Sequence, residues 1–374
     1  MQKVIIKHLG PIKELEMEIK DFNLLIGEQA TGKSTVAKAI YFFRSIKATL
    51  QDYLCQLYDT SLYNGNDING GFNKVLRKEL KSVFVSLFGY SWDLDERLYL
   101  KYEYADDIWI STQLYGRATK QYISVQYSGK LTREIKKLEK EALDLYVQKK
   151  DMTYLSLAYA SKERLRNYDN FKKSLNQIFD DNKETYYIPA GRSMLTLLVN
   201  NRSLIESNNL DLITRQYMQI IDNIHGVFED GIRNAHKRYP DEERKFDVNK
   251  ITDTLVANLK GDYQYIAGKE YIIIQDEEKH NEKIPINFAS SGQQEVLWLL
   301  NQLYVLMLKK ENAFVIIEEP EAHLYPSLQN KVVEFIAYFA NMNFRTKTEP
   351  TGAVYGFVNT LMSIIKEFSP DYIG

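Results

Sequence analysis

Gly27-Glu28-Gln29-Ala30-Thr31-Gly32-Lys33-Ser34-Thr35 is the stretch that decides how this chain folds. Its spacing is G-x-x-x-x-G-K-S. The glycines let the backbone curl so that successive N–H groups face one anion, and the helix that follows adds positive potential at its N-terminus. In such a loop the lysine, here Lys33, reaches the β- and γ-phosphates of a nucleotide, and the hydroxyl of Ser34 ligates Mg²⁺. The flanks suit it: residues 22–26 form an apolar run that reads as a strand, and residues 35–43 read as a helix. Further upstream, residues 4–6 and 15–19 also read as strands. An α/β fold is expected, with residues 27–35 binding ATP and Mg²⁺.

Two further motifs stand near the other end. Ala313-Phe314-Val315-Ile316-Ile317-Glu318-Glu319-Pro320 reads as a buried strand with two carboxylates at its C-terminal end. Opposite a phosphate cradle, Glu318 would hold Mg²⁺ through its water shell, and Glu319 would act as general base on the attacking water. The bland reading of the same residues is a core strand ending in a solvated acidic turn. Just before it, Ser290-Ser291-Gly292-Gln293-Gln294-Glu295 opens an apolar helix over residues 293–308. Taken alone, that is an ordinary capping sequence.

The order of the three motifs resembles the ABC/SMC ATPase superfamily, and within it the RecF-like and OLD-nuclease-like AAA-type ATPases of bacteria. The run Glu318-Glu319-Pro320-Glu321-Ala322-His323-Leu324-Tyr325-Pro326 is similar to their E-E-P-E-A-H-L-x-P hallmark. The resemblance implies a P-loop fold of the ABC-head type, discontinuous over residues 1–45 and 185–340. It also implies that Ser290, Ser291, Gly292 and Gln293 touch ATP bound by a second subunit, so that ATP drives a homodimer. Tyr187-Ile188-Pro189-Ala190-Gly191-Arg192-Ser193 is similar to another family segment. Arg192 there either faces the nucleotide or forms a structural salt bridge.

Between Lys33 and Gly292 lie far more residues than a transporter subunit places between these motifs, so residues 46–184 read as an inserted helical and β lobe or arm. Residues 95–128 alternate as a small sheet and 130–180 are charged and helical. Leu131, Ile135, Leu138, Ala142 and Leu145 step by fours and threes, which suits either a short coiled-coil seam or a helix packed on its own lobe. Lys74, Arg77, Lys78 and Lys81 share one helical face, and His236, Lys237, Arg238, Arg244 and Lys245 form a second basic stretch. Either could meet DNA phosphates, although acidic neighbours dilute both.

Bulk composition narrows the classes. The chain has 374 residues, a formal net charge of −2, 44% hydrophobic and 26% charged residues, and one cysteine. It is long enough for one large or two unequal domains. The charge excludes a global basic field, and a lone Cys55 cannot form an internal disulfide. Residues 1–20 lack the apolar core of a signal peptide, and the longest apolar stretch is too short to span a bilayer. A cytoplasmic protein with no membrane contact is expected.

Residues 341–374 depart from the family. No histidine follows His323, whereas ABC-type heads carry a switch histidine there. Instead Thr351-Gly352-Ala353-Val354-Tyr355-Gly356-Phe357 and Pro370-Asp371-Tyr372-Ile373 resemble a fragment of the 5′-to-3′ exonuclease domain of DNA polymerase I. The metal-binding aspartates that flank such a fragment are absent, so the tail is expected to be a fusion or truncation rather than a nuclease; the alternative is a divergent tail that supplies the missing strand. Two functions follow: an ATP-hydrolysing dimer switch in DNA maintenance or phage defence, with a partner nuclease implied only by resemblance, or a non-hydrolysing ATP-binding interaction module. A degraded, poorly folding product is a third reading.

Overall fold

Apolar and charged residues alternate near the amino terminus, and this pattern becomes a hairpin. In the computed structural model β1 (Gln2–Leu9) pairs antiparallel with β2 (Ile12–Ile19). Val4, Ile6 and Leu9 are fully buried, while Lys7 pairs with Glu14 at 2.6 Å on the outer face. The structure describes residues 1–59, 71–89, 97–117, 120–151, 157–195, 210–240, 245–275 and 281–345. They form two compact units that divide after Thr185.

In the first unit β3 (Tyr99–Ala105), β4 (Ile108–Arg117) and β5 (Lys120–Tyr127) give the sheet that alternation predicts, and β3 also pairs with β1. The result is one antiparallel sheet of order β2-β1-β3-β4-β5. It therefore joins strands from both sides of residue 46. α1 (Lys33–Asp59) starts on the phosphate-loop motif and runs well past the helix expected from the sequence. It buries Phe42, Phe43 and Ile46 completely, each contributing about 1.5–3 kcal/mol relative to exposure. The hydroxyl of Tyr104 donates to Phe43 O at 2.7 Å, fixing α1 to β3.

α2 (Gly71–Phe88), α3 (Gly129–Asp151) and α4 (Leu157–Ile178) pack around α1. Leu131, Ile135, Leu138 and Ala142 are all buried, so the four-three seam of α3 faces its own unit. Arg44, buried in α1, ties distant segments together. Its guanidinium donates to Gln2 Oε1 at 2.8 Å and to Thr185 Oγ1 at 3.1 Å, and pairs with Asp181 at 2.5 Å.

Residues 22–26 are not a strand. Asn23 closes a turn after β2, its side chain accepting from Lys20 N at 2.8 Å and donating to Glu18 O at 3.0 Å. Beyond it the backbone is irregular, with Leu24 52% and Ile26 66% exposed. A strand needs a hydrogen-bonded neighbour, and among the described residues this segment has none.

In the second unit β6 (Glu184–Ile188) pairs with β10 (Ala313–Ile317), and β7 (Asp262–Ile266), β8 (Lys269–Gln275) and β9 (Asn281–Pro285) form an antiparallel meander. Around them lie α5 (Leu212–Ile224), α6 (Lys245–Leu259), α7 (Ser291–Leu308) and α8 (Pro326–Arg345). Every residue of α7 from Glu295 onward is buried, which makes it the central helix of the core. That fits a helix apolar on all sides. Beneath Trp298 sits a buried polar knot that sequence reasoning did not reveal. His225 Nε2 lies 2.8 Å from Glu270 Oε1, which also accepts from the Tyr263 hydroxyl at 2.7 Å. No described helix is long and apolar enough to cross a membrane.

Candidate nucleotide site

The loop of residues 27–35 is shaped by its glycines and by the hairpin beneath it. Ala30 and Gly32 adopt left-handed backbone, with φ of 60° and 100°. Alternation of that kind turns successive N–H groups toward one side. Gly32 has no room for a side chain, because a Cβ there would meet Ile12 Cγ1 at 2.8 Å and Pro11 Cγ at 3.1 Å. The ring is closed by Lys33, whose ammonium donates to Gly27 O and Glu28 O, each at 2.5 Å. An ammonium has three donors, so one remains for an anion in the loop. The Thr31 hydroxyl donates to Glu28 O at 2.8 Å. Ser34 is exposed at the first turn of α1, where helical geometry leaves the N–H groups without carbonyl partners.

The acidic turn lies in the second unit. Glu318 continues the β6–β10 pairing, its N–H donating to Ile188 O at 3.0 Å. One carboxylate oxygen of Glu318 is buried and has no hydrogen-bond partner among the described residues. An orphaned carboxylate oxygen is costly unless a cation or water satisfies it, so the residue suits the Mg²⁺ role read from the sequence. Glu319 is exposed and has a left-handed φ of 43°. β10 itself is half-buried rather than fully buried. Among the described residues no group of three or more His, Cys, Asp or Glu could hold a metal without help. A Mg²⁺ that arrives with nucleotide phosphates needs only one or two protein oxygens.

A model of the AAA ATPase domain family matches residues 1–348. The chain belongs to that family. It is accordingly a P-loop ATPase-family protein of mixed α/β structure, and the family supports ATP binding. No curated protein matches the chain. The matched span includes the residues between the motifs and stops at residue 348. The stretches resembling a polymerase exonuclease fragment, at 351–357 and 370–373, lie outside the described residues.

The third motif of this AAA ATPase-family chain is a helix cap. Ser290 caps α7 in a reciprocal box with Gln293, Ser290 N donating to Gln293 Oε1 at 3.0 Å. Gln293 Nε2 also donates to Leu259 O at 2.8 Å, so this side chain is committed within its own unit. Ser290 and Ser291 are exposed. A Cβ on Gly292 would meet only Leu328 and Leu324 at 3.8 and 3.9 Å, an ordinary contact. The fold therefore does not require glycine at 292.

Arg192 takes the structural one of its two expected roles. It is fully buried, and its guanidinium donates to Glu318 O at 2.8 Å and Glu319 O at 2.9 Å. Its partner is Glu295, also fully buried, which the sequence offered only as the end of a cap. A carboxylate inside an otherwise apolar helix was the signal, since a buried charge needs a partner.

The two basic stretches differ. Arg238 pairs with Glu229 at 2.8 Å and Arg233 with Asp253 at 3.6 Å, so two cations of the second stretch are neutralised; residues 241–244 lie outside the described residues. On α2, Lys74, Arg77, Lys78 and Lys81 are exposed and make no ion pair among the described residues. With Asn73 they line a surface hollow of about 420 Å³.

Proposed function

We propose that the chain is an ATP-hydrolysing dimer switch acting in DNA maintenance or phage defence. Residues 27–35 bind the phosphates, with Lys33 donating to the β- and γ-oxygens. Ser34 and Glu318 hold Mg²⁺, which when bound offsets phosphate charge. Glu319 takes the proton from the attacking water, a role that contributes about 10²–10⁴-fold. Ser290, Ser291, Gly292 and Gln293 present the N-terminus of α7 to ATP held by a second copy.

The observation that carries the dimer reading is Gly292. Packing leaves space for a methyl group there, yet the residue stands between exposed serines at a helix N-terminus, where close approach of an anion favours a bare backbone. The exposed cations of α2 are the surface offered to a DNA backbone, and resemblance supplies the partner nuclease. Light scattering after size exclusion, with and without MgATP, tests the switch. The native chain should dimerise with ATP and return to monomer as phosphate is released, and Gly292→Asp should stay monomeric. A persistent ATP dimer without phosphate release would replace this reading with a non-hydrolysing binding module. A chain that stays monomeric at saturating MgATP would overturn both.

A further inference from the structure

Three segments far apart in sequence converge on one guanidinium. Arg192 Nη1 donates to Pro189 O and to Glu318 O, both at 2.8 Å, and Nη2 donates to Glu319 O at 2.9 Å. Nε donates to the main-chain carbonyl of Glu295 at 2.9 Å. In return the Glu295 carboxylate accepts from Arg192 N at 3.1 Å, Ser193 N at 3.2 Å and Ser193 Oγ at 2.6 Å. Both side chains are fully buried, so neither touches nucleotide.

The geometry points to Arg192 and Glu295 as positioning residues that couple the N-terminus of α7 to the Glu318-Glu319 turn. Glu295 stands just over one helical turn beyond the cap at Ser290, so movement of that first turn moves both its carbonyl and its carboxylate. The guanidinium is a rigid planar fork. It holds two successive carbonyls, and that fixes the peptide plane between Glu318 and Glu319. The plane in turn sets the direction of the Glu319 carboxylate. Glu319 also keeps a left-handed φ that residues with a Cβ seldom adopt and that its surroundings must maintain. This coupling rests on the reading that residues 290–293 meet a phosphate and that Glu319 is the base.

Hydrogen exchange and turnover on the full chain test it together. In Arg192→Lys, amides of the turn at 318–323 should exchange about tenfold faster while those of α7 at 296–308 keep their rates. MgATP affinity should stay within about twofold, and kcat should fall about thirtyfold or more. Gly292→Asp supplies the coupling measurement. It should change turn exchange about fivefold in the native background and less than about twofold beside Arg192→Lys. Ser193→Ala, which removes the hydroxyl bond to Glu295, should give a smaller change of the same pattern and serves if Arg192→Lys does not fold. Equal effects of Gly292→Asp in both backgrounds, or faster exchange spread evenly through α7, would overturn the coupling. A native chain without turnover would refute the hydrolysis reading alone, since the exchange measurements still decide the coupling.

Discussion

Gly32 rests directly on Ile12: a methyl group on the glycine would stand 2.8 Å from Ile12 Cγ1. The phosphate loop is thus shaped from below by the β1–β2 turn as well as by its own sequence. Gly32→Ala combines that overlap with a φ of 100° that alanine rarely adopts. The expected loss is about 1–3 kcal/mol from overpacking, with further strain from the backbone. Chemical denaturation should show this cost, and titration calorimetry should show ATP binding weakened beyond detection. Native-like ATP affinity in this variant would contradict the proposed seat.

Lys33 has a narrower role. Its ammonium closes the loop on Gly27 O and Glu28 O, and no part of the hydrophobic core depends on it. Lys33→Ala should weaken ATP binding by about two orders of magnitude, in line with loss of charge-assisted bonds to phosphate. Its thermal midpoint should remain within a few degrees of the native chain.

The two acidic residues should separate by phenotype. Glu319→Gln should lower kcat by about 10²–10⁴-fold and leave ATP binding intact, as expected when a general base is lost. The ATP-bound dimer of this variant should persist. Glu318→Gln, which changes the carboxylate carrying the orphaned oxygen, should instead raise the Mg²⁺ concentration needed for nucleotide binding. Mg²⁺ titrations monitored with a fluorescent ATP analogue distinguish the two.

On α2 the exposed cations give a quantitative expectation. If Lys74, Arg77, Lys78 and Lys81 each meet one duplex phosphate, the logarithm of affinity falls with the logarithm of salt at a slope of about −3.6. Lys74→Glu with Lys78→Glu should weaken DNA binding and flatten that slope by about two, with ATP affinity unchanged. Fluorescence anisotropy at several salt concentrations reads both; binding that ignores salt would exclude this surface.

Cys55 should be inert. Burial, reinforced by the nearby charges of Asp52 and Asp59, pushes its thiol up to about 12 from an ordinary 9.0. The thiolate is the reactive species, so at pH 8 the folded chain should react with a disulfide reagent about 10³-fold more slowly than the unfolded chain. The rate should climb as pH rises above 9. Rapid labelling of native protein at pH 8 would show that the site opens.

Much of the candidate site was legible because its proposed chemistry is written in contiguous residues. The loop of 27–35, the carboxylates at 318 and 319 and the cap at 290–293 each carry their signal in one short window, and local geometry follows from local sequence. Residues 22–26 mark the limit. An apolar run bounded by glycine fits a strand, but a strand exists only through a neighbour, and pattern alone does not name one. The same limit hid the role of Glu295. Its burial could be suspected from an apolar helix, whereas its bond to Arg192 spans 103 residues of chain.

By itself, then, the sequence determined the G-x-x-x-x-G-K-S loop motif, the order of the three motifs, the apolar central helix and the two helices described within residues 130–180. The tertiary structure decided that β1 and β2 share a sheet with β3–β5, that the seam of α3 faces its own unit, and that Arg192 holds the acidic turn instead of facing the nucleotide. Periodicity and motif spacing depend on neighbours within a few residues of one another. Strand pairing and the satisfaction of buried charge depend on which distant groups come to lie within hydrogen-bond reach, and only the folded chain supplies those partners.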